Sequence, residues 1–270
     1  MDNINKEYLM QILNKKIRTD GRKFEDYRDV EIETDISKNA EGSAKVRIGE
    51  TEVIVGVKLE VGTPYPDNPD EGTIIVGAEF LQMANPEFES GPPNVQSVEL
   101  SRVVDRGIRE SKAIDFKKLC IEEGKKVWLV LIDIYAINDD GNMQDAASLA
   151  ALAALSNTKM PKYDKETEKV DYKERKGKLP LSKMPIECSL AKIGEHILVD
   201  PGLDEERLLD AKLTVASIGN KIHAMQKAGV GTLKVEEVET MLKLAIEKNK
   251  KALEKINKKW WSILNMKKQG

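Results

Sequence analysis

The chain has 270 residues, a net charge of −3, 33% charged side chains and 5% aromatic ones. That length provides for one large domain or two ordinary ones with an ample core, and the near-balanced charge excludes a wholly basic nucleic-acid binder, so any contact with nucleic acid must come from a local patch. Two distant cysteines, Cys120 and Cys188, argue against a disulfide framework or a CxxC zinc site, no apolar run reaches bilayer length, and the Met1–Glu7 segment lacks the form of a signal peptide; a cytoplasmic protein without membrane contact is expected.

Residues 4–17 read as a short amphipathic helix with Tyr8, Leu9, Ile12 and Leu13 on one face, ended by Asp20-Gly21-Arg22. Strands follow over 29–34, 43–48 and 52–59, the last two joined as a hairpin through Gly49-Glu50. The Pro-, Asp- and Gly-rich stretch 61–72 is a loop, and 73–80 resumes a strand. A helix is expected over 94–114, with Asn94 as N-cap and Leu100, Val103, Val104, Gly107, Ile108 and Ser111 as its apolar face. The most hydrophobic strand, 127–137, runs through Asn138-Asp139-Asp140-Gly141-Asn142 into a helix of small residues over 144–155, which suits a buried helix. A polar break covers 158–182, and strand signals return at 186–193, 196–199 and 211–218. The tail is helical, with an apolar stripe through Val238, Leu242, Ile246, Asn249, Leu253, Ile256 and Trp260 that suits docking on a sheet better than a coiled coil.

This order predicts an α+β fold of two similar halves. The expected organisation is an N-terminal helix and arm over 1–25, a first half over 26–157, a surface excursion over 158–182, and a second half with the C-terminal helix over 183–270.

The strand–glycine turn–helix start at 138–145 is the frame of an anion cradle, because free backbone N–H groups and the positive end of the helix dipole converge there. Its chemistry is missing. Asp145 sits in the first turn, and the loop carries no Ser, Thr, Arg or Lys. Arg102, Arg106 and Arg109 recur at helical spacing on one face, opposite the apolar one and on the same side as Val95 and Val98, with Glu99 and Asp105 the nearest acids. Three guanidiniums so placed suit a phosphodiester backbone, bound without sequence preference; a solvated charged face is the alternative. Arg18, Arg22 and Lys23 read as turn chemistry and surface solvation, Asp139 and Asp140 as turn formers rather than a metal pair, and Asp200 and Asp204 likewise. His196 and His223 read as structural or exposed. Neither a metal site nor a cofactor is expected.

Four motifs now stand in one order: Arg18-Thr19-Asp20-Gly21-Arg22, the hairpin Glu41–Val53, the helical run Glu99–Arg109, and Asp139-Asp140-Gly141-Asn142. Together, over roughly residues 15–225, they resemble the RNase PH family of phosphate-dependent 3′-to-5′ exoribonucleases, and within it the inactive-type ring subunits of the archaeal exosome. The resemblance implies an RNase PH fold of two halves like the second domain of ribosomal protein S5, with mixed sheets and packed helices. It also implies a hexameric ring, a trimer of heterodimers in which this chain alternates with a catalytic RNase PH-like subunit, together with RNA-binding cap subunits and single-stranded RNA as ligand. The resemblance further places Arg102, Arg106 and Arg109 near the RNA path.

Active members of the family carry Ser, Thr or Arg after the Asp-Gly turn to hold inorganic phosphate; here Gly141 is followed by Asn142, Met143, Gln144 and Asp145, a degenerate phosphate loop. They carry an Arg shortly before the arginine-bearing helix, where this chain reads Pro92-Pro93-Asn94, and an acid in an Ala-Asp-Met segment, where this chain reads Ala211-Lys212-Leu213. A shifted alignment would make Asp210 that acid. The expectation is a non-catalytic RNA-binding subunit that helps to shape a partner's active site, with no catalytic residue of its own and any Mg²⁺ belonging to the partner. The alternatives are a self-sufficient phosphorolytic enzyme and an S5-like RNA-binding scaffold.

Overall fold

The computed structural model describes residues 6–266, the side chains of Lys176 and of residues 255–266 excepted. The elements run α1 (Lys6–Asn14), β1 (Val30–Thr34), β2 (Gly42–Ile48), β3 (Thr51–Gly62), β4 (Thr73–Phe80), α2 (Val95–Glu110), a 3-10 turn (Phe116–Leu119), β5 (Cys120–Glu122), β6 (Lys126–Asn138) and α3 (Met143–Asn157). They continue with β7 (Lys159–Asp164), β8 (Lys169–Lys178), β9 (Ile186–Ile193), β10 (His196–Val199), α4 (Leu203–Leu208), β11 (Ala211–Ile218), β12 (Lys221–Ala228) and α5 (Val235–Met266). The chain divides into two units, one of residues 28–183 and one that joins the segment up to Tyr27 with the segment from Met184 onward.

In the unit of residues 28–183, period-two burial decides which face of the sheet is core. Val53, Val55, Val57 and Leu59 of β3 and Val130, Ile132, Ile134 and Ala136 of β6 are buried, and side chains of that parity share one face. Each such Val, Leu or Ile contributes about 1.5–3 kcal/mol of transfer free energy. The strands lie in the order β1-β2-β3-β6-β4, with β5 beside the start of β6. β4 joins β6 in parallel and the other neighbours are antiparallel; a parallel pair needs a crossover, and α2 lies in that connection.

Helix α2 starts where the sequence marks it. Asn94 is extended (φ −79°, ψ 172°) and its Oδ1 accepts the Ser97 N–H at 2.8 Å. It ends four residues before the expected 114, because Ser111 caps it and Lys112 turns left-handed at φ 52°. Helix α3 is buried at every residue from Met143 to Leu155. Its approach to the sheet is close enough that a Cβ at Gly42 would collide with Thr158 Oγ1 and the Ala154 carbonyl, so β2 needs glycine at its first position.

The polar stretch 158–182 is the hairpin β7–β8, and it lies within this unit rather than between two. A buried carboxylate fixes it: Glu41 accepts Arg175 at 3.2 Å, Lys58 at 2.9 Å and the Leu59 N–H at 3.0 Å, while Arg175 also donates to the Ala40 carbonyl at 2.7 Å. Glu41 is far from Arg175 in sequence, so the anchor is invisible locally.

The other unit carries the sheet β10-β9-β11-β12, antiparallel throughout. Helix α5 lies on β9 and β11 through Met241, Ala245 and Asn249, with Val238, Leu242 and Leu244 packed beside them; Val238, Leu242 and Asn249 belong to the stripe read from the sequence, and Met241 and Ala245 widen it. Asn249 is polar in that seam because its Nδ2 donates to the Val215 carbonyl at 3.2 Å and to Ser217 Oγ at 2.9 Å. The side chains of Ile256 and Trp260 lie outside the described ones. Strand β12 and helix α4 had no sequence signal: the only buried side chain in β12 is Ala224, so no alternation marks it.

The N-terminal segment is not a separate arm. Leu9 and Leu13 are fully buried against Ile193 and Leu198, which makes α1 part of this unit's core. Arg18 is not a solvated turn residue either. It is buried, its guanidinium forks onto Glu205 (Nε to Oε1 2.9 Å), and it donates to the Val199 and Asp200 carbonyls at 2.9 and 2.8 Å. Glu205 in turn accepts the Gly202 N–H at 2.8 Å and so caps α4. Arg22 reaches Asp200 Oδ2 at 2.8 Å beside it. Removing one partner of such a pair strands a buried charge. Arg18→Ala is expected to cost about 3–5 kcal/mol of unfolding free energy, read by urea denaturation; a loss below about 1 kcal/mol would show that the pair tethers nothing.

Candidate functional site

The turn between β6 and α3 is closed from the sheet side. Gly141 and Asn142 both have positive φ, 81° and 53°, which reverses the chain directly into the helix. Asn142 is fully buried, and its Nδ2 donates to Asp145 Oδ2 at 2.9 Å. Asp145, 3% exposed, places its carboxyl group in the first helical turn. Asp139 Oδ1 accepts the Gly141 N–H at 3.1 Å and its Oδ2 accepts Asn85 Nδ2 at 2.8 Å, the hydrogen bonds of a turn former.

Two donors absent from the loop sequence arrive from elsewhere. Arg28 donates to the Asp140 carbonyl at 2.7 Å, to Asp140 Oδ2 at 3.1 Å and to the Gly141 carbonyl at 3.0 Å. Thr51 Oγ1 donates to the Gly141 carbonyl at 2.6 Å and accepts the Asp140 N–H at 3.1 Å. These groups are spent on carbonyl oxygens and on a carboxylate. Burial pushes the Asp140 carboxyl above its ordinary range, and Arg28 pulls it back. Neither residue has a sequence signal for this task, since Arg28 and Asp140 lie 112 positions apart.

The arginines of α2 do share a face. With Val76, Ser101, Asp105 and Glu110 they line a surface depression beside β4. Arg102 is exposed and Arg106 half-buried, and Val95 and Val98, 83% and 42% exposed, continue that side toward the start of the helix. Arg109 is also tied down. It grips Asp105 through two hydrogen bonds of 3.1 and 2.8 Å, donates to the Ile74 carbonyl of β4 at 3.0 Å, and lies over the Phe116 ring. It ties α2 to the sheet and so orients the depression.

In the other unit, Lys212 Nζ pairs with Glu206 at 2.8 Å. The alternative acid, Asp210, receives the Lys6 ammonium on one oxygen and the Gly194 N–H on the other at 2.7 Å. The Lys6 bond first, and then the Gly194 bond, hold its carboxyl below the ordinary carboxylate range. Asp210 thus clasps the turn at Gly194 to Lys6.

Two domain signatures match the chain: that of the 3′ exoribonuclease family, domain 1, over residues 26–161, and that of the same family, domain 2, over residues 183–248. The chain belongs to the 3′ exoribonuclease family. The exosome complex component Rrp42 of Methanocella arvoryzae is 48% identical to this exoribonuclease-family chain over 256 residues, 94% of this chain and 95% of that protein. The component of the same name from Thermococcus kodakarensis is 45% identical over 261 residues, 96% of each. Among solved structures, a chain of the Archaeoglobus fulgidus exosome with RNA bound to the active site superposes with a TM-score of 0.87 at 44% identity, covering 93% of this chain and 97% of that one. Rice Rrp46, 16% identical with a TM-score of 0.66, shares the fold. The RNase PH fold expected from the four motifs is therefore the fold observed.

Two outcomes test the geometry in this exoribonuclease-family chain. Arg28→Met removes the cation that holds three acceptors of the turn and should cost about 1.5–3 kcal/mol of stability in urea unfolding, with Arg28→Lys recovering part of it. Asp210 has a depressed pKa in the folded state, so its contribution is complete above the ordinary aspartate pKa of about 4 and is lost as pH falls through the lower folded value. Asp210→Asn should flatten that acid limb of the stability profile; an unchanged limb would remove Asp210 from the clasp.

Proposed function

We propose that this chain is a non-catalytic, RNA-binding subunit of an archaeal exosome ring, paired in a trimer of heterodimers with a catalytic RNase PH-like subunit and working in the cytoplasm. The observation that carries this reading is the closed turn. A carboxylate occupies the helix start, and the neighbouring guanidinium and hydroxyl are turned on backbone carbonyls. An incoming orthophosphate would meet repulsion where hydroxyl and guanidinium donors are required. Lys212, paired with Glu206, stands where the family's acid is expected, which supports the same reading. Among the described residues no helix is long and apolar enough to cross a membrane.

The chain's own contribution is a cationic surface. Arg102 and Arg106 meet the phosphodiester backbone of single-stranded RNA, and Arg109, locked to Asp105 and Ile74, keeps their helix in place. RNA led along this face reaches the partner's site. There phosphate attacks the terminal phosphodiester, the bond to the preceding nucleotide's 3′ oxygen breaks, and a nucleoside diphosphate leaves with an RNA one residue shorter. Cap subunits with their own RNA-binding domains complete the assembly, and any Mg²⁺ belongs to the partner.

The isolated chain, incubated with poly(A) and phosphate, is expected to release no ADP; robust phosphorolysis by the pure chain would replace this reading with a self-sufficient enzyme. In the mixed ring, Arg106→Glu should lower RNA affinity at least fivefold at moderate salt while native mass measurement finds assembly intact. Unchanged affinity would remove the arginine face from the RNA path.

A further inference from the structure

The depression between α2 and Val76 of β4 carries more than a phosphate site needs. It encloses about 340 Å³, the lower end of ligand-sized concavities. Part of its lining is committed within the chain. Asp105 accepts Arg109 on both carboxylate oxygens, at 3.1 and 2.8 Å, so these two charges answer each other. The Ser101 hydroxyl donates to the Val98 carbonyl at 2.9 Å. The other charged lining is Arg102, Arg106 and Glu110. These stand four residues apart in one row, each about 6 Å along the helix axis from the next.

Glu110 serves no purpose inside this chain. It is the last residue of α2, at the negative end of the helix dipole, where an anion is disfavoured. Arg106 precedes it by one turn, the weaker order for an ion pair four residues apart. Glu110 is exposed, and no hydrogen bond or ion pair meets its carboxylate among the described residues. Its charge also weakens the attraction of the row for phosphate.

A ligand that suits such a row brings an anion for the guanidiniums and a proton donor for the carboxylate. Inorganic phosphate and the backbone of a deoxyribose strand bring only the anion. The backbone of a ribose strand brings both, because every sugar between two phosphates carries a 2′-hydroxyl, which donates as well as accepts. We propose that Glu110 accepts the 2′-hydroxyl of a ribose whose phosphate lies on Arg106, so that this chain itself distinguishes RNA from DNA. The assignment rests on the RNA-binding reading above. It adds a readout of the sugar to a backbone grip that is blind to base sequence.

The test uses the ring assembled from the full-length chain and its catalytic RNase PH-like subunit, in phosphate-free buffer so that strands stay intact. Binding of oligo(A), oligo(dA) and 2′-fluoro oligo(A) of equal length is titrated for wild-type, Glu110→Ala, Glu110→Gln and Arg106→Glu rings, and the thermal unfolding of each chain is measured alone. The wild-type ring is expected to favour RNA over both analogues, since fluorine has no proton to donate. Glu110→Ala should lower the RNA-to-DNA and RNA-to-2′-fluoro affinity ratios at least threefold by weakening RNA alone, with an unfolding midpoint at or above wild type. Glu110→Gln, which keeps an acceptor oxygen, should recover part of each ratio. Loss of negative charge by itself acts in the opposite direction and would tighten RNA and DNA alike, an outcome that overturns the sugar readout. Ratios within about 1.5-fold of wild type for Glu110→Ala also overturn it, and the RNA-binding reading then stands if Arg106→Glu still weakens RNA. RNA affinity unchanged by both Arg106→Glu and Glu110→Ala overturns the two together. Equal weakening of oligo(A) and oligo(dA) by Glu110→Ala overturns the sugar readout in favour of a contact with the adenine amine.

Discussion

A helix buried along its whole length cannot leave the groups at its start to water. Helix α3 meets that condition from Met143 to Leu155, so the turn that leads into it must satisfy its polar groups from within the protein. Asn142 and Asp145 hold each other at the helix start, Thr51 and Arg28 take the carbonyls before it, and Asp139 and Asn85 fix the strand end. The side chains around the turn are thus tied to its carbonyls and to one another.

The arginines of α2 stand on the depression beside β4 together with Asp105 and Glu110. The helix-free face of the sheet is of mixed charge as well, since the register puts Lys45, Arg47 and Lys58 on the same side as Glu60, Glu79 and Asp133. Arg109 belongs to the arginine row by spacing and also fastens α2 to the edge strand by its hydrogen bonds.

The element pattern was readable wherever one face is buried and the other is not. Residues 73–80, 186–193, 196–199 and 211–218 are strands with the bounds that alternation and turn residues indicate, and Asn94 caps α2 through a bond between residues three apart. Reading failed where burial is one-sided only weakly or where the partner is remote. β12 has one buried side chain and so no period, and the buried seam of α5 takes in Met241 and Ala245 beside the stripe residues Val238, Leu242 and Asn249. The segment before Tyr27 looked detachable because Leu9 and Leu13 find their core far downstream in the chain, at Ile193 and Leu198.

The candidate sites divide in the same way. Residue types and spacing alone determined that an Asp stands at the start of the small-residue helix and that three arginines share a helix face, because each is a local property of the chain with the period of one element. Only the tertiary structure decided what those groups are free to do. Arg18 became a buried staple, Arg28 a clamp on the turn, Arg109 an anchor and Asp210 a clasp through partners 187, 112, 35 and 204 positions away, respectively. A charged side chain reaches only a few ångströms, so its role is set by whichever strands and turns the fold brings within that reach, and no local pattern records them.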